Sequence, residues 1–184
     1  IRARFGDAGW LSGADIEILN EVIDEDAEMP WVGGVSTAAD ILRFAEMLRR
    51  GGELNGTRLV SPGILERALR NHTGDQPNNW WIPMAQRRNW ELMPANLGLG
   101  FFLRGEGLHP SILGTTTSAG TFGNYGAGST IYWVDPERDL SFVVLTSGVM
   151  EESANIVRFQ TLSDIAVSAV VRDHGQPDLP AVLA

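Results

Sequence analysis

The sequence predicts an α+β fold in which helices flank an antiparallel sheet. Apolar residues recur at helical spacing before residue 70 and again after residue 150, and two β-rich runs, 130–134 and 140–146, lie between these regions. The runs are separated by DPERD, whose proline and charges are typical of a hairpin loop and therefore predict antiparallel pairing. With this order of elements, we expect the last helix to cover the sheet.

Composition limits the classes of function. The 184 residues are 43% hydrophobic and 20% charged, which suits one domain with a buried core and argues against a disordered tail. The formal charge of -9 argues against nucleic acid as a partner. No cysteine is present, which excludes disulfides, zinc–thiolate sites and a cysteine nucleophile, and leaves the compartment open between cytoplasm and periplasm or exterior. No apolar run approaches the roughly 18 residues of a membrane span.

The first predicted helix is short and ends in an acidic run. Ile16, Leu19 and Ile23 have helical spacing, and acidic residues follow at 24–28. A calcium loop needs a glycine at its sharp turn, but Met29 and Pro30 follow here. The acidic run is therefore interpreted as a solvated surface.

The stretch 31–70 predicts two further helices. Thr37 and Asp40 resemble a capping box, and an apolar stripe continues to a double glycine, so a helix is expected over 37–50. Asn55-Gly56 favours a tight turn. Ser61-Pro62 then predicts the start of a second helix that continues to about Arg70.

In residues 72–94 the apolar residues follow neither helical nor strand spacing, so the segment is interpreted as an irregular loop that contains Trp80, Trp81 and Trp90. Aromatic residues in such a loop either line a ligand pocket or anchor the loop to the core, and both alternatives stay open for Trp80 and Trp81. The three histidines, at 72, 109 and 174, have no partner at the i, i+4 spacing of a helical metal site. We therefore expect neither a metal nor another cofactor.

Strands follow from residue 97 onward, and a helix ends the chain. The run LGLGFFLRG is short, apolar and rich in glycine, which favours a strand before the two β-rich runs. Ile156, Phe159, Ile165 and Val170 have helical spacing, with Gly175 as the expected stop.

The segment GNYGAGST, residues 123–130, differs from a phosphate-binding loop. Ser129 occupies the position of the required lysine, and TIYWV, which follows, is β-rich where that loop needs a helix. Glycines before a strand instead allow a ligand to approach backbone N–H groups. No Gly-x-Ser-x-Gly motif is present, which argues against an independent Ser-His-Asp site.

Three stretches in order resemble the C-terminal part of the serine β-lactamase-like superfamily, which includes class C β-lactamases, family VIII carboxylesterases and D-aminopeptidases. They are GGVSTAADILRFAEMLRRGGELNGTRLVSP, LGLGFFL and FGNYGAGSTIYWVDPERDLSFVVLTS. The resemblance covers about residues 31–171 and implies a β-lactamase or penicillin-binding-protein-like fold. It also implies a serine hydrolase that forms an acyl-enzyme.

The resemblance implies particular roles for four residues. The third motif of the superfamily, Lys-Thr-Gly or His-x-Gly, falls on Asn124, Tyr125 and Gly126, which are thereby candidate substrate-binding residues. Ala127 would supply the backbone N–H that forms half of an oxyanion hole. Asn124 replaces the usual cation, which weakens a β-lactam or peptidase interpretation and favours a small ester or amide substrate.

The other two motifs of the superfamily are absent. All 14 basic residues are arginine, so Ser-x-x-Lys cannot occur, and no convincing Tyr-x-Asn is present. We therefore expect residues 1–184 to be the C-terminal segment of a hydrolase, with a helical and loop region at 31–96 and strands plus a helix at 97–171. The nucleophile would lie on an N-terminal segment, and this chain alone would be inactive. The alternative is a non-catalytic module with a binding or assembly role.

This expectation has a consequence for partners. Without that segment, the strand edge at 124–127 and the inner helix faces would lack a cover, and such edges tend to associate. We expect the N-terminal segment as a tightly bound partner, or a domain-swapped dimer.

Overall fold

The computed structural model describes residues 12–24, 26, 34–146 and 148–170. Its helices are α1 Gly13–Glu17, α2 Leu19–Val22, α3 Ala38–Arg49, α4 Pro62–Ala68, α5 Ile82–Arg88 and α6 Glu152–Ser168. Its strands are β1 Glu53–Leu54, β2 Thr57–Arg58, β3 Phe102–Leu103, β4 Phe122–Gly126, β5 Thr130–Asp135 and β6 Leu140–Leu145. Among the described helices, none has the length and apolar character needed to cross a membrane.

Four strands form one antiparallel sheet in the order β3-β4-β5-β6. In its centre, Tyr132 of β5 faces Asn124 of β4 on one side and Val143 of β6 on the other. The predicted α+β class and antiparallel pairing are confirmed. The predicted runs 130–134 and 140–146 differ from β5 and β6 by one residue each at their C-terminal ends.

The two faces of the sheet carry separate cores, because side chains alternate along β5. Ile131 and Trp133 pack in a cluster that contains residues of α6, whereas Val134 belongs to a cluster that contains residues of α3. Trp133 is fully buried, and its indole Nε1 donates to Ser163 Oγ of α6 at 2.9 Å. The last helix therefore covers the sheet, as predicted.

The start of α3 agrees with the sequence prediction. Thr37 is the N-cap, and its side chain accepts a hydrogen bond from Asp40 N at 3.2 Å. At the other end of α3, Arg49 forms ion pairs with Glu46 and with Asp139 of the β5–β6 hairpin. The helix is thus attached to the sheet by charge as well as by its apolar face.

The short hairpin β1–β2 also follows the sequence. Asn55 and Gly56 both have positive φ, 52° and 79°, which is the conformation that an Asn-Gly turn favours. Ser61 caps α4, and its side chain accepts from Ile64 N at 3.3 Å. The helix ends at Ala68, two residues before the predicted end.

Two predictions about local structure are wrong. The segment predicted as an irregular loop contains α5, which begins after Trp81 and ends at the left-handed Asn89. The helix predicted around Ile16 to Ile23 is interrupted at Ile18, so that α1 and α2 are separate short helices. The last helix, α6, ends at Ser168, before the Val170 that the prediction included, and the predicted stop at Gly175 lies outside the described residues.

Candidate functional site

The segment 126–130 forms a tight hairpin turn between β4 and β5. Ser129 N donates to Gly126 O at 2.9 Å, and Ser129 has a positive φ of 68°. This side chain is buried, and its Oγ donates to Gly148 O at 2.5 Å. Thr146 N also donates to Ser129 O, at 3.1 Å. The turn is therefore fixed by contacts to the segment that follows β6.

Ala127 lies in this turn, one residue after the end of β4. The residue is exposed, and its N–H has no hydrogen-bond partner within the part of the chain that the structure describes. An exposed and unpaired N–H in a fixed turn is available to a ligand. The sequence analysis placed this N–H on a strand edge, whereas in the structure it lies in the turn that follows the strand.

The second half of β4 has a free edge. The short strand β3 pairs only with Phe122 and Gly123, so the last three residues of β4 pair with β5 on one side and have no strand on the β3 side in the described ranges. Asn124 covers part of this edge, because its Nδ2 donates to Gly100 O at 3.2 Å and its Oδ1 accepts from Tyr125 N at 2.9 Å. The amide of Asn124 is therefore held in place.

An open groove of about 590 Å³ runs along this end of the sheet. The predicted substrate-binding residues Asn124, Tyr125 and Gly126 all contribute to its wall. The rest of the wall comes from the segment before α3, from α3 and from β5 and β6, namely Gly34, Ser36, Ile41, Thr130, Ile131, Tyr132 and Leu145. The groove contains both polar and apolar wall residues, as a site for a small organic molecule requires.

The Tyr125 phenol packs against α6. Its ring lies edge-on to that of Phe159 with 6.1 Å between centroids, and its hydroxyl donates to the Glu152 carboxylate. Trp81 Nε1 donates to the same hydroxyl at 3.4 Å. Burial and the nearby charge of Glu152 raise the pKa of the Tyr125 phenol above its usual value. The phenol therefore stays protonated and serves as a hydrogen-bond donor.

Trp80 and Trp81 occupy different environments, neither of them in the groove. Trp81 is 5% exposed and stacks on Phe102 at 5.4 Å, so it anchors the loop to the core. Trp80 is 61% exposed and lines a second cavity of about 250 Å³, together with residues of α5 and the start of α6. We call this second space the α5–α6 cavity.

The sequence reasoning missed Glu152 and Ser36. Glu152 lies 27 residues after Tyr125, and only the packing of α6 on β4 brings the two together. Ser36 contributes to the groove because it precedes the cap of α3. The sequence around each residue indicates a helix start and gives no sign of a shared site.

The described residues contain no cluster of three side chains suited to hold a metal ion. His109 instead contacts the buried Arg104, whose guanidinium Nη1 lies 3.2 Å from His109 Nε2. His72 Nε2 lies 3.0 Å from Arg67 O. Both described histidines therefore have structural contacts.

Comparison with known proteins relates the chain to one family. The β-lactamase family model matches residues 2–164. The curated esterase/β-lactamase LipL of Mycobacterium tuberculosis is 28% identical over 176 residues, which cover 93% of this chain and 37% of LipL. The crystal structure of a β-lactamase from Mycobacterium bovis superposes with a TM-score of 0.56 at 28% identity, over 72% of this chain and 44% of that protein.

The chain thus spans less than half the length of either relative. The match of the family model extends over most of the chain and includes α3, the four-stranded sheet and most of α6. By this match, the chain belongs to the β-lactamase family.

Proposed function

We propose that the chain forms the C-terminal segment of a serine hydrolase that cleaves a small ester or amide through an acyl-enzyme. In this role β4 edges the groove, and the Ala127 N–H supplies half of an oxyanion hole. The nucleophilic serine and its lysine lie on an N-terminal segment. The unpaired N–H of Ala127 beside the groove is the observation that carries the proposal.

The chemistry follows from where charge develops. When a nucleophile attacks a carbonyl carbon, negative charge forms on the carbonyl oxygen of the tetrahedral intermediate. A fixed N–H aimed at that oxygen stabilises the transition state by about 3 kcal/mol. The hydrogen bonds of Ser129 to Gly126 and Gly148 hold the turn, so that the Ala127 N–H needs little reorganisation during the reaction.

The lack of lysine supports a nucleophile outside this chain. A serine is a weak nucleophile unless a base is positioned beside it. The 184 residues contain no lysine that could form the serine–lysine pair of the superfamily. The groove residue Ser36 is 36 or more residues from either described histidine in sequence, and no hydrogen bond within the described ranges joins it to either of them.

Asn124 favours an uncharged substrate. A cation at this position would attract a substrate carboxylate, whereas the Asn124 amide is neutral and already bonded to Gly100 O and Tyr125 N. The name of LipL includes an esterase activity for that protein. An ester or amide without a carboxylate beside the scissile bond suits the groove of this chain.

A fluorophosphonate probe tests the proposal, because it labels an activated serine. The 184-residue chain alone should remain unlabelled and should not hydrolyse a nitrophenyl ester above background. A longer protein that joins a Ser-x-x-Lys segment of the same gene product to residue 1 should be labelled on that segment. Stoichiometric labelling of Ser36, Ser118 or Ser129 in the 184-residue chain would refute the proposal. An unlabelled longer protein would favour a non-catalytic module.

A further inference from the structure

The α5–α6 cavity has an apolar wall and a charged rim. Pro83 and Met84 contribute apolar surface, Trp80 contributes an aromatic ring, and Arg87, Glu151 and Glu152 contribute the charges. Its volume of about 250 Å³ is below the range typical of pockets for drug-sized ligands. A ligand of this cavity is therefore a small molecule.

The charges at the rim do not balance. Arg87 forms an ion pair with Glu151 at 2.6 Å, and Glu151 also accepts hydrogen bonds from Ser153 Oγ and Ala154 N. Glu152 forms no ion pair with any arginine or histidine in the described ranges, and its donor is the neutral phenol of Tyr125. The rim therefore has one cation and two carboxylates.

Glu152 is half-buried, which makes its lack of a cationic partner costly. Burial and the nearby charge of Glu151 raise the pKa of the Glu152 carboxyl above its usual value. A cation bound in the cavity would offset both the burial of the Glu152 carboxylate and its repulsion by Glu151. The geometry of the rim therefore favours a positively charged ligand.

Trp80 provides the second element of recognition. Its side chain is 61% exposed although tryptophan is large and largely apolar, and it belongs to the wall of the same cavity as Glu152. The face of a tryptophan ring attracts alkylammonium ions more strongly than the other aromatic rings do. We propose that the α5–α6 cavity binds a small alkylammonium ion, whose charge is shared between the Trp80 ring and the Glu152 carboxylate.

This site lies outside the groove that carries the proposed hydrolysis. Tyr125 lies between the two spaces, since it belongs to the groove wall and its hydroxyl contacts Glu152. The test below measures binding to the 184-residue chain without turnover. Its outcome is therefore independent of whether the chain takes part in a hydrolase.

Choline and its uncharged isostere 3,3-dimethylbutan-1-ol distinguish charge recognition from apolar filling. Isothermal titration of the 184-residue chain should show saturable binding of choline and much weaker binding of the alcohol. Glu152→Gln should raise the Kd for choline about tenfold, equivalent to about 1.4 kcal/mol, because it removes the charge. The glutamine keeps an oxygen that can accept from Tyr125, so the variant should retain its fold, which circular dichroism would verify.

Two further variants test whether choline binds in the α5–α6 cavity. Trp80→Leu should also weaken choline binding, since it removes the ring and keeps an apolar side chain. Glu91→Gln removes an exposed carboxylate that is not part of the cavity wall, and it should leave the Kd unchanged. Equal affinities for choline and the alcohol, no saturable binding of choline, or choline binding that is unaffected by Glu152→Gln or Trp80→Leu would each overturn the proposal.

Discussion

The Tyr125 hydroxyl donates a hydrogen bond to the Glu152 carboxylate and thereby joins β4 to the first turn of α6. The same hydroxyl accepts from Trp81 Nε1 at 3.4 Å. One phenol thus connects the strand that edges the groove, the helix that covers the sheet and the residue before α5. The position of β4 depends on this polar contact as well as on apolar packing.

Tyr125→Phe should lower the free energy of unfolding by about 1–3 kcal/mol, because it leaves the half-buried Glu152 carboxylate without its donor. Urea unfolding followed by fluorescence and by circular dichroism would measure the change. Tyr132→Phe is the matched control, since the Tyr132 hydroxyl forms no hydrogen bond within the described structure. Similar losses in the two variants would contradict a specific role for the Tyr125–Glu152 contact.

Gly123→Ala should disrupt the pairing of β4 with β5. A Cβ atom at this position would lie 2.2 Å from Tyr132 O and 2.7 Å from Trp133 Cα, which are backbone atoms of the neighbouring strand. We expect a loss of about 1–3 kcal/mol or more. Gly128→Ala in the adjacent turn is the control, because nothing lies within 4 Å of the added Cβ. Equal unfolding midpoints for the two variants would contradict the prediction, because they would show that β4 and β5 accommodate the added methyl group without loss of stability.

The ion pair between Glu46 and Arg49 should make stability depend on pH. The hydrogen bonds of Arg49 lower the pKa of the Glu46 carboxyl from 4.5 to about 2. Because the pKa is lowered in the folded state, the contribution of the ion pair to folding stability is fully present above about pH 4.5. It is lost as the pH falls through about 2. Arg49 also contacts Asp139, so the pair connects α3 to the β5–β6 hairpin.

The comparison of the wild type with Glu46→Gln measures this contribution. At pH 7 the variant should be less stable by about 1 kcal/mol or less, as is usual for ion pairs near the surface. The difference in urea midpoint should shrink steadily below pH 4.5. Glu66→Gln breaks the exposed pair of Glu66 and Arg70 and should change the midpoint little. A Glu46→Gln difference that stays constant down to pH 3 would refute the assignment.

Local signals in the sequence predicted most elements of the fold. Thr37 caps α3, Asn55-Gly56 forms the turn of β1–β2, and the β-rich runs on either side of DPERD form β5 and β6. These signals act over a few residues, through hydrogen bonds and backbone conformations that depend on residue type. They are therefore readable without knowledge of the tertiary structure.

The helix α5 was missed although it carries weak signals of its own. Pro83 lies in its first turn, Arg87 and Arg88 lie in its last, and Asn89 ends it in the left-handed conformation. No side chain caps its start, and the surrounding tryptophans obscure the helical period. Packing of the segment against the core, through the buried Trp81 and Met84, decides its conformation.

Only the part of the candidate site that is contiguous in sequence could be predicted. Residues 124–127 follow from one contiguous motif, and the structure places three of them at the groove. Ser36 joins the groove, and Glu152 reaches the hydroxyl of the groove residue Tyr125, through the packing of α3 and α6 on opposite faces of the sheet, which no local pattern encodes. Trp81, a pocket candidate by sequence, is buried because its ring stacks on Phe102.

Ala127→Pro tests the proposed oxyanion donor, because proline has no backbone N–H. Ala127 occupies the second position of the turn closed by Ser129 N and Gly126 O, and its φ is not in the left-handed region. Proline is favoured at this position of the common turn types, so the variant should keep the hairpin. In the longer protein that carries the Ser-x-x-Lys segment, kcat should fall about a hundredfold or more.

Ala127→Ser is the matched control for that variant, since it keeps the N–H and adds a small polar side chain at an exposed position. Its kcat should stay close to that of the wild type. Both variants should show the circular dichroism and urea midpoint of the wild type, because the turn hydrogen bond between Ser129 N and Gly126 O involves neither atom that changes. A folded Ala127→Pro protein with unchanged kcat would show that the oxygen of the intermediate is stabilised elsewhere.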